Sequence, residues 1–253
     1  MCEKKNIKKN FLPFACFWLI SFAVIIGRCF YDLNVYLNGD TLVYNSSQNS
    51  YDYLLHLPVG YTDFGSSRPL LIFLHGAGEV GNDVRKLKKH DPVHYAKGNV
   101  PVKDFPFIVI TPITPVRQWQ PKKVIKLLDE ILDTKGKRWS IDQSRIYLTG
   151  FSMGGFGTFD TACEFPERFT AIIPIAGGGN VVKAEKLKNV PTWAFHGNAD
   201  KTVHYKYSAK MIETMKAANC KEAKLTTLHN ADHRIVKNVY SKPEIYKWML
   251  NKK

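Results

Sequence analysis

Acidic residues are scarce relative to basic ones in this sequence, and the resulting positive charge bears on which partners the protein can bind. The 253 residues include 22 acidic side chains against 36 lysines and arginines, which gives a formal net charge of +14. The basic residues are scattered, and no arginine-rich run or alternation of aromatic and basic residues indicates nucleic-acid binding. We therefore predict no nucleic-acid partner. The charge favours solubility and a weak attraction to anionic surfaces.

Cysteine is also uncommon, with five residues in the chain. Three of them lie within the first thirty residues, which leaves Cys163 and Cys220 for the remainder. No Cys-x-x-Cys pair or histidine-rich spacing indicates a metal site, so we predict neither a metal nor a cofactor. Two unreactive, partly buried thiols fit this pattern best, with a disulfide between Cys163 and Cys220 as the alternative.

The first thirty residues differ in composition from the rest of the chain. Four lysines between Lys4 and Lys9 precede a run without charge from Phe11 to Gly27. The length of that run lies between a signal-peptide core and a full membrane span. We predict that residues 1–30 are a signal peptide or an N-terminal membrane anchor, with a buried helix of the domain as the alternative. Because the lysines stay inside, residues 31–253 are expected to be exported, to the periplasm, the cell surface or the medium.

The remaining chain has no internal repeat or low-complexity linker, and its apolar runs alternate with helical patterns. Continuous apolar runs, typical of strands buried on both faces of a parallel sheet, occupy 70–74, 107–110, 146–148, 171–175 and 192–195, with a last strand at 225–228. Helical periodicity covers 121–132, 207–218 and 243–250.

Two earlier strands are predicted ahead of these runs. Alternating apolar residues from Tyr51 to Leu57 indicate a half-exposed strand, which is expected to pair with one near 40–44. The whole pattern predicts an α/β domain with a doubly wound, mostly parallel sheet and leading antiparallel edge strands.

Ser152 lies in the G-x-S-x-G pentapeptide 150–154, which carries the strongest functional signal of the sequence. A strand-like run, 145–149, precedes the pentapeptide, and 155–159 can open a helix. In that context the pattern predicts a nucleophile elbow, a tight turn that presents a reactive serine. The glycines two residues before and after the serine are expected where a side chain would collide with the neighbouring strand or helix.

A reactive serine needs a base to take its proton and an acid to orient that base. In folds with this elbow the acid and then the histidine follow the serine along the chain, each at the end of a strand. Asp200 follows the strand 192–195, and His233 follows the strand 225–228. We therefore predict a catalytic triad of Ser152, Asp200 and His233.

Three neighbouring residues fit these roles less well. Asp232 adjoins His233, so its carboxylate is expected on the wrong side of the loop. Asp160 falls inside the helix that follows Ser152. His229 ends its strand too early and is kept as the reserve base.

The turn 75–78, His-Gly-Ala-Gly, ends a buried strand in small residues, as an oxyanion loop does. We predict that the backbone N–H groups of Ala77 and Met153 are the two oxyanion donors. His75 and His196 each stand at a His-Gly step at a strand end. For both we favour a structural role over a catalytic one.

Substrate contacts are expected from the loops at the catalytic edge of the sheet. Trp119 follows the strand 107–110 and is predicted to bind substrate there, with packing against its own loop as the alternative. His204 follows the acid loop and is a second candidate, although a surface position is equally compatible. Fifteen residues separate Ile175 from Pro191, too few for a large lid. An open site is expected, and it favours acyl groups on bulky or polymeric carriers.

The segments 70–81, 150–155 and 195–200, together with His233, resemble the α/β-hydrolase superfamily, and more specifically its lidless feruloyl-esterase-like and phospholipase/carboxylesterase-like groups. The similarity covers about residue 50 to the C-terminus. It implies an α/β-hydrolase domain over 31–253, with the same triad and the same oxyanion donors. It also implies a serine esterase that acts on carboxylic esters, with acetyl or feruloyl esters on polysaccharide as the favoured substrates.

Two positions depart from the pattern of those groups. Asp91-Pro92 stands where Gly-Pro is expected, and His204 stands where proline is common. Both are expected to flank the site and to influence substrate class. The alternatives to an esterase are a serine peptidase of the same fold and, from a different class, a non-catalytic protein that binds carbohydrate or a surface.

Overall fold

The computed structural model describes residues 40–252, apart from 47–49, 63–64, 90, 102–103 and 134–138. The predicted signal peptide or anchor, 1–30, lies outside the described residues. Within the described ranges, no helix is both long enough and apolar enough to cross a membrane.

Among the described residues, eight strands form a single sheet. They are β1 (Asp40–Tyr44), β2 (Tyr53–Leu57), β3 (Arg68–Leu74), β4 (Ile108–Pro112), β5 (Ile141–Phe151), β6 (Ala171–Ile175), β7 (Thr192–Gly197) and β8 (Ala223–Leu228). Their order in the sheet is β1-β2-β4-β3-β5-β6-β7-β8. The strands from β3 to β8 are parallel, whereas β2 is antiparallel to both β1 and β4. The predicted fold class, a mostly parallel sheet with leading antiparallel strands, is confirmed.

In the described part of the chain, six α-helices connect or follow these strands. They are α1 (Pro92–Ala96), α2 (Pro121–Leu132), α3 (Met153–Glu164), α4 (Lys206–Ala217), α5 (Val236–Tyr240) and α6 (Pro243–Leu250). The three helices predicted from periodicity are confirmed as α2, α4 and α6, each to within one residue. Helix α2 begins at Pro121, whose fixed φ suits the first helical position, and its apolar stripe from Val124 to Ile131 is buried.

Alternate side chains of the central strands point to opposite faces of the sheet and build two cores. On β3, Leu70 and Ile72 join the cluster that also holds buried residues of α2, α3 and α4. Leu71 and Phe73 join the other cluster, which includes Tyr240 and other residues of α5 and α6. Helices therefore cover both faces, and the carboxyl ends of the strands are left to form the site.

The expectation of a half-exposed strand at β2 was wrong. Leu54 points away from the main core but is buried against Val84, Leu87 and Ile113. A 3₁₀ turn, Val84–Lys89, supplies two of these residues and covers that face of the strand.

Strand β5 is longer than its apolar run. It begins at Ile141, which pairs with Arg68, and the register then shifts so that Leu70 faces Ile146. The first part of the strand is polar and lies nearer the surface, so apolarity alone does not mark it.

Cys163 and Cys220 are both free thiols, so the alternative of a disulfide between them was wrong. Burial raises the pKa of the Cys163 thiol to about 12. That thiol therefore stays protonated and is a poor nucleophile near neutral pH.

Candidate active site

Ser152 connects the end of β5 to the first residue of α3. Its backbone has φ 58° and ψ −116°, a conformation that a residue with a side chain adopts only under strain. Two backbone hydrogen bonds hold it, from Ser152 N to Ile175 O (2.9 Å) and from Phe156 N to Ser152 O (3.0 Å). The serine side chain makes no capping bond to its own helix, so Oγ is available to the site.

The flanking glycines explain the spacing of the pentapeptide. A Cβ on Gly150 would overlap the backbone oxygen of Gly154, and a Cβ on Gly154 would overlap the backbone oxygen of Leu74. Neither position accepts a side chain without moving β3 or α3. The strained serine is therefore held between two close backbone contacts.

The loops after β5, β7 and β8 bring Ser152, Asp200 and His233 together. His233 Nε2 lies 2.8 Å from Ser152 Oγ, and His233 Nδ1 lies 2.6 Å from Asp200 Oδ2. Because an ionised carboxylate only accepts, Nδ1 carries the hydrogen and donates it to Asp200. Nε2 is then unprotonated in neutral His233 and faces the serine hydroxyl, the arrangement a general base requires.

Asp200 is held as a carboxylate by its surroundings. Burial acts to raise its pKa, but the hydrogen bonds from His233 and from two backbone N–H groups outweigh burial, so the pKa is lowered. The backbone donors are Thr202 N, at 2.8 Å from Oδ1, and Val203 N, at 2.9 Å from the same oxygen. The side chain is fully buried, and its orientation is fixed at both oxygens.

The competing residues do not join the hydrogen bonds among Ser152, His233 and Asp200. Asp232 is exposed and binds Arg234, with 2.6 Å between the carboxylate and the guanidinium. His229 is exposed and makes no hydrogen bond to Ser152 or Asp200. Asp160 is exposed on α3, about two helical turns beyond the serine, and lines the same cavity without a hydrogen bond to Ser152 or His233.

The backbone N–H groups of Ala77 and Met153 are in positions suited to an oxyanion. Ala77 begins a 3₁₀ turn, Ala77–Glu79, and Met153 begins α3. The first N–H of a helix has no acceptor within that helix and points outward at its positive end. Both residues line the same cavity as Ser152.

That cavity has a volume of about 390 Å³. Its lining combines apolar, aromatic and charged residues and includes Ala77, Arg117, Gln118, Trp119, Ser152, Met153, Phe156, Gly157, Asp160 and Val203. A larger cleft of about 580 Å³ lies by the antiparallel edge of the sheet and is lined by other residues. We assign the smaller cavity to the chemistry because it contains Ser152.

Trp119 lines the cavity as a fixed wall. The side chain is buried, and its Nε1 donates to His75 O at 3.1 Å. Its ring lies 4.9 Å from the His75 ring, and a Cβ on Gly157 would come within 2.8 Å of the Trp119 ring. Trp119 therefore lines the cavity and packs against the turn after β3 and against α3, whereas the alternative considered from the sequence was packing against its own loop.

The structure does not bring two other predicted residues to this cavity. His204 is exposed, and its Nδ1 accepts from Lys206 N at 3.3 Å, whereas the neighbouring Val203 lines the cavity. Asp91 does not flank the site, because it lines the larger cleft at the other edge. There it caps α1 by accepting from His94 N at 2.8 Å, which gives this departure from Gly-Pro a structural reason.

His75 has the structural role predicted for it. Its Nε2 accepts from Thr114 N at 3.2 Å, so the hydrogen resides on Nδ1, which donates to Gly76 O at 2.7 Å. Burial lowers the pKa of His75 to about 4. The neutral ring therefore holds the predicted oxyanion loop through its bonds to Gly76 and Thr114.

Sequence reasoning missed two contacts with the predicted triad. The ring of Phe151 lies 4.9 Å from that of His233, and His196 lies 3.3 Å from Asp200 Oδ2. Both residues stand beside recognised motif positions, Phe151 next to Ser152 and His196 four residues before Asp200. In the described part of the chain, no three His, Cys, Asp or Glu side chains are grouped as metal ligands.

Comparison with known proteins places this geometry in a family. Residues 91–243, more than half of the chain, match the phospholipase/carboxylesterase family. The chain belongs to this family. Among curated proteins it is 29% identical over 149 residues to the bifunctional acetylxylan esterase/xylanase XynS20E of Neocallimastix patriciarum, covering 57% of this chain and 21% of that protein. It is 27% identical over 172 residues to feruloyl esterase D of Neurospora crassa, covering 64% of this chain and 58% of that protein.

Among solved structures, this member of the phospholipase/carboxylesterase family resembles a thermostable esterase. The TM-score is 0.68 at 25% identity, over 85% of this chain and 63% of that one. The α/β-hydrolase fold is thereby confirmed. The matched region spans about a fifth of the acetylxylan esterase/xylanase and somewhat over half of the feruloyl esterase.

Proposed function

We propose that this chain is a serine esterase that hydrolyses carboxylic esters, with Ser152 as nucleophile, His233 as base and Asp200 as the acid that orients the base. One observation carries the proposal. The hydrogen bonds from Ser152 Oγ through His233 to Asp200 are continuous, at 2.8 Å and 2.6 Å.

The geometry supports a two-step reaction. His233 Nε2 takes the hydroxyl proton as Ser152 Oγ attacks the ester carbonyl carbon, and the carbonyl oxygen becomes an oxyanion near the N–H groups of Ala77 and Met153. The bond to the alcohol oxygen then breaks, and His233 returns the proton to that oxygen. Water attacks the acyl-enzyme, His233 takes its proton, and the acid leaves as Ser152 regains its hydrogen.

The favoured substrates are acetyl or feruloyl esters carried on polysaccharide. The names of two relatives, an acetylxylan esterase and a feruloyl esterase, support this choice. The connection from β6 to β7 also supports it, because its 3₁₀ segment Val181–Leu187 buries Ala184 and Leu187 against the main core. Because the connection packs against the core instead of extending over Ser152, the site stays open, and an open site suits a bulky carrier.

Labelling with a fluorophosphonate tests the nucleophile. The wild type is expected to label, Ser152→Ala is expected not to, and Ser66→Ala, at an exposed serine, serves as the matched control that labels normally. Absence of labelling in the wild type would refute a serine hydrolase and favour a non-catalytic binding protein.

Substrate assays then separate the two enzyme classes. Turnover of short-chain nitrophenyl esters but not of peptide anilides selects the esterase over a serine peptidase of the same fold. A panel of acetylated and feruloylated oligosaccharides identifies the acyl group, and the reverse preference, for peptide anilides, would contradict the proposal.

We also propose that the domain is exported. The proposal is supported by the lysines before the uncharged run Phe11 to Gly27. Cell fractionation locates the protein, and sequencing of its mature N-terminus distinguishes a cleaved signal peptide from an anchor. Recovery of the full chain only in the cytosol would contradict export.

A further inference from the structure

The triad carboxylate faces a second histidine. Asp200 Oδ2 lies 2.6 Å from His233 Nδ1 and 3.3 Å from His196 Nε2. The side chains of both His196 and Asp200 are fully buried. Since two backbone N–H groups occupy Oδ1, the two histidines share the remaining oxygen.

The atoms around His196 fix a hydrogen on its Nε2. That nitrogen also lies 2.9 Å from Val203 O, and a carbonyl oxygen, like a carboxylate, can only accept. Nε2 therefore carries a hydrogen, which it donates to Val203 O, while Asp200 Oδ2 lies at the longer distance of 3.3 Å from the same nitrogen. A bare Nε2 would place its lone pair against two acceptors in a buried site, which is strongly unfavourable.

The other ring nitrogen does not alter this assignment. His196 Nδ1 lies 2.7 Å from Ser208 Oγ, which in turn lies 2.6 Å from Gly177 O. Because a carbonyl oxygen can only accept, Ser208 Oγ donates its single hydrogen to Gly177 O. His196 Nδ1 therefore donates to Ser208 Oγ. With hydrogens on both nitrogens the ring is cationic: burial opposes that state and lowers the pKa of His196, whereas the bond to Val203 O and the nearby charge of Asp200 favour it.

This network connects the acid loop to the rest of the fold. His196 belongs to β7, Ser208 to α4, and Gly177 to the loop that follows β6. The ring of Tyr205 packs edge-on against His196 at 5.7 Å. The imidazole is thus held from several sides, and a rigid donor beside a carboxylate restricts the directions in which that carboxylate can turn.

We propose that His196 is a positioning residue of the esterase site, whose Nε2–H holds Asp200 Oδ2 in line with His233 Nδ1. The inference rests on the proposed function. Because a second donor also draws on the charge of Oδ2, it weakens the pull of Asp200 on the proton of His233. Removing that donor should both loosen the carboxylate and concentrate its charge on the hydrogen bond from His233 Nδ1.

Two amide variants form a matched pair. In His196→Gln the amide nitrogen reaches the place of Nε2, whereas in His196→Asn the shorter side chain reaches only the place of Nδ1, next to Ser208. For His196→Asn we expect kcat on a nitrophenyl ester to fall about 10- to 100-fold, as for other misaligned sites, with KM changed less than about twofold. The acid limb of kcat/KM should move to higher pH. For His196→Gln, both the rate and the acid limb should stay close to wild type.

Ser208→Ala is the control for a merely structural role. It removes the partner of Nδ1 but leaves the Nε2 hydrogen, so Tm is expected to fall while the acid limb of kcat/KM stays in place. Equal losses in the Asn and Gln variants, with the acid limb unmoved in both, would overturn the inference.

Two further outcomes keep this test separate from the proposed function. A wild type that neither labels with fluorophosphonate nor turns over esters refutes the function itself, whereas an active wild type with indistinguishable Asn and Gln variants refutes only the role of His196. Should His196→Asn fail to fold, nitrogen NMR of the wild-type histidines decides the matter. A hydrogen on His196 Nε2 supports the proposal, and an unprotonated Nε2 overturns it.

Discussion

Asp200→Asn tests the tautomer on which the proposed mechanism depends. The new amide has two orientations. With its oxygen in the place of Oδ1 it keeps the bonds from the N–H groups of Thr202 and Val203, and its NH₂ group then faces His233 and the Nε2 hydrogen of His196. The reverse orientation sets NH₂ against the two backbone donors, which cannot change. Because His233 can change tautomer and His196 Nε2 keeps Val203 O as its acceptor, the first orientation is expected.

In that orientation His233 must accept at Nδ1, so its hydrogen moves to Nε2 and points at Ser152 Oγ. The histidine can then no longer take the serine proton. The corresponding change in serine proteases lowers kcat by about 10⁴-fold, which equals about 5.4 kcal/mol of transition-state stabilisation at 1.36 kcal/mol per factor of ten. We expect a loss of that order here, with KM little changed because Asp200 does not line the cavity.

The assay is steady-state hydrolysis of a nitrophenyl ester, with Tm measured in parallel. Asp232→Asn is the matched control, since Asp232 adjoins His233 but is exposed and paired with Arg234. That control is expected to keep near wild-type kcat. An Asp200→Asn enzyme that keeps more than about a tenth of wild-type kcat, or equal losses in the two variants, would refute the assignment of Asp200.

Three further substitutions test the surroundings of the site. Burial raises the pKa of Asp91 from an ordinary 3.8 to about 6, so stability should fall as pH rises through this window. Asp91→Asn keeps a capping oxygen, and its free energy of unfolding in urea should exceed that of the wild type by up to about 3 kcal/mol at pH 7 and by almost nothing at pH 4. Equal stability of the two proteins at pH 7 would contradict this. Gly154→Ala should lower Tm by about 5 °C or more and abolish turnover, because the new Cβ would overlap Leu74 O. The control is Gly78→Ala, which should leave Tm unchanged because the space around its Cβ is open. Trp119→Phe keeps an aromatic side chain in the cavity lining but removes the donor to the carbonyl of His75. Tm should therefore fall by a few degrees, and kcat should fall with it. A rise in KM alone would indicate that Trp119 only contacts substrate.

The sequence predicts the backbone of the site well because backbone requirements leave local marks. Only glycine fits at 150 and 154, and strands buried on both faces must be apolar throughout. The order of strand ends then places Asp200 and His233 near Ser152 without any knowledge of side-chain packing. The same reasoning fails at β2, because what buries Leu54 is a 3₁₀ turn about thirty residues later in the chain.

Side-chain contacts across loops leave no such marks. His196 is recognisable as a strand-end histidine, but its approach to Asp200 depends on how the loop after β7 turns back. His204 is only four residues beyond Asp200, yet it faces solvent while Val203 lines the cavity. A one-residue difference along a turn reverses which side chain enters the cavity, and composition and spacing do not resolve it.

Trp119, which lines the cavity, is linked by hydrogen bonds to the predicted oxyanion loop. Trp119 donates to the backbone oxygen of His75, and the His75 ring is itself fixed by bonds to Thr114 and Gly76. The proposed oxyanion donor, Ala77, directly follows Gly76 in the chain. A change at Trp119 that alters the shape of the cavity therefore also reaches the group expected to stabilise the transition state. Since an oxyanion donor contributes roughly 10²–10³-fold to turnover only when it is correctly placed, substitutions that widen this cavity should change kcat as well as KM.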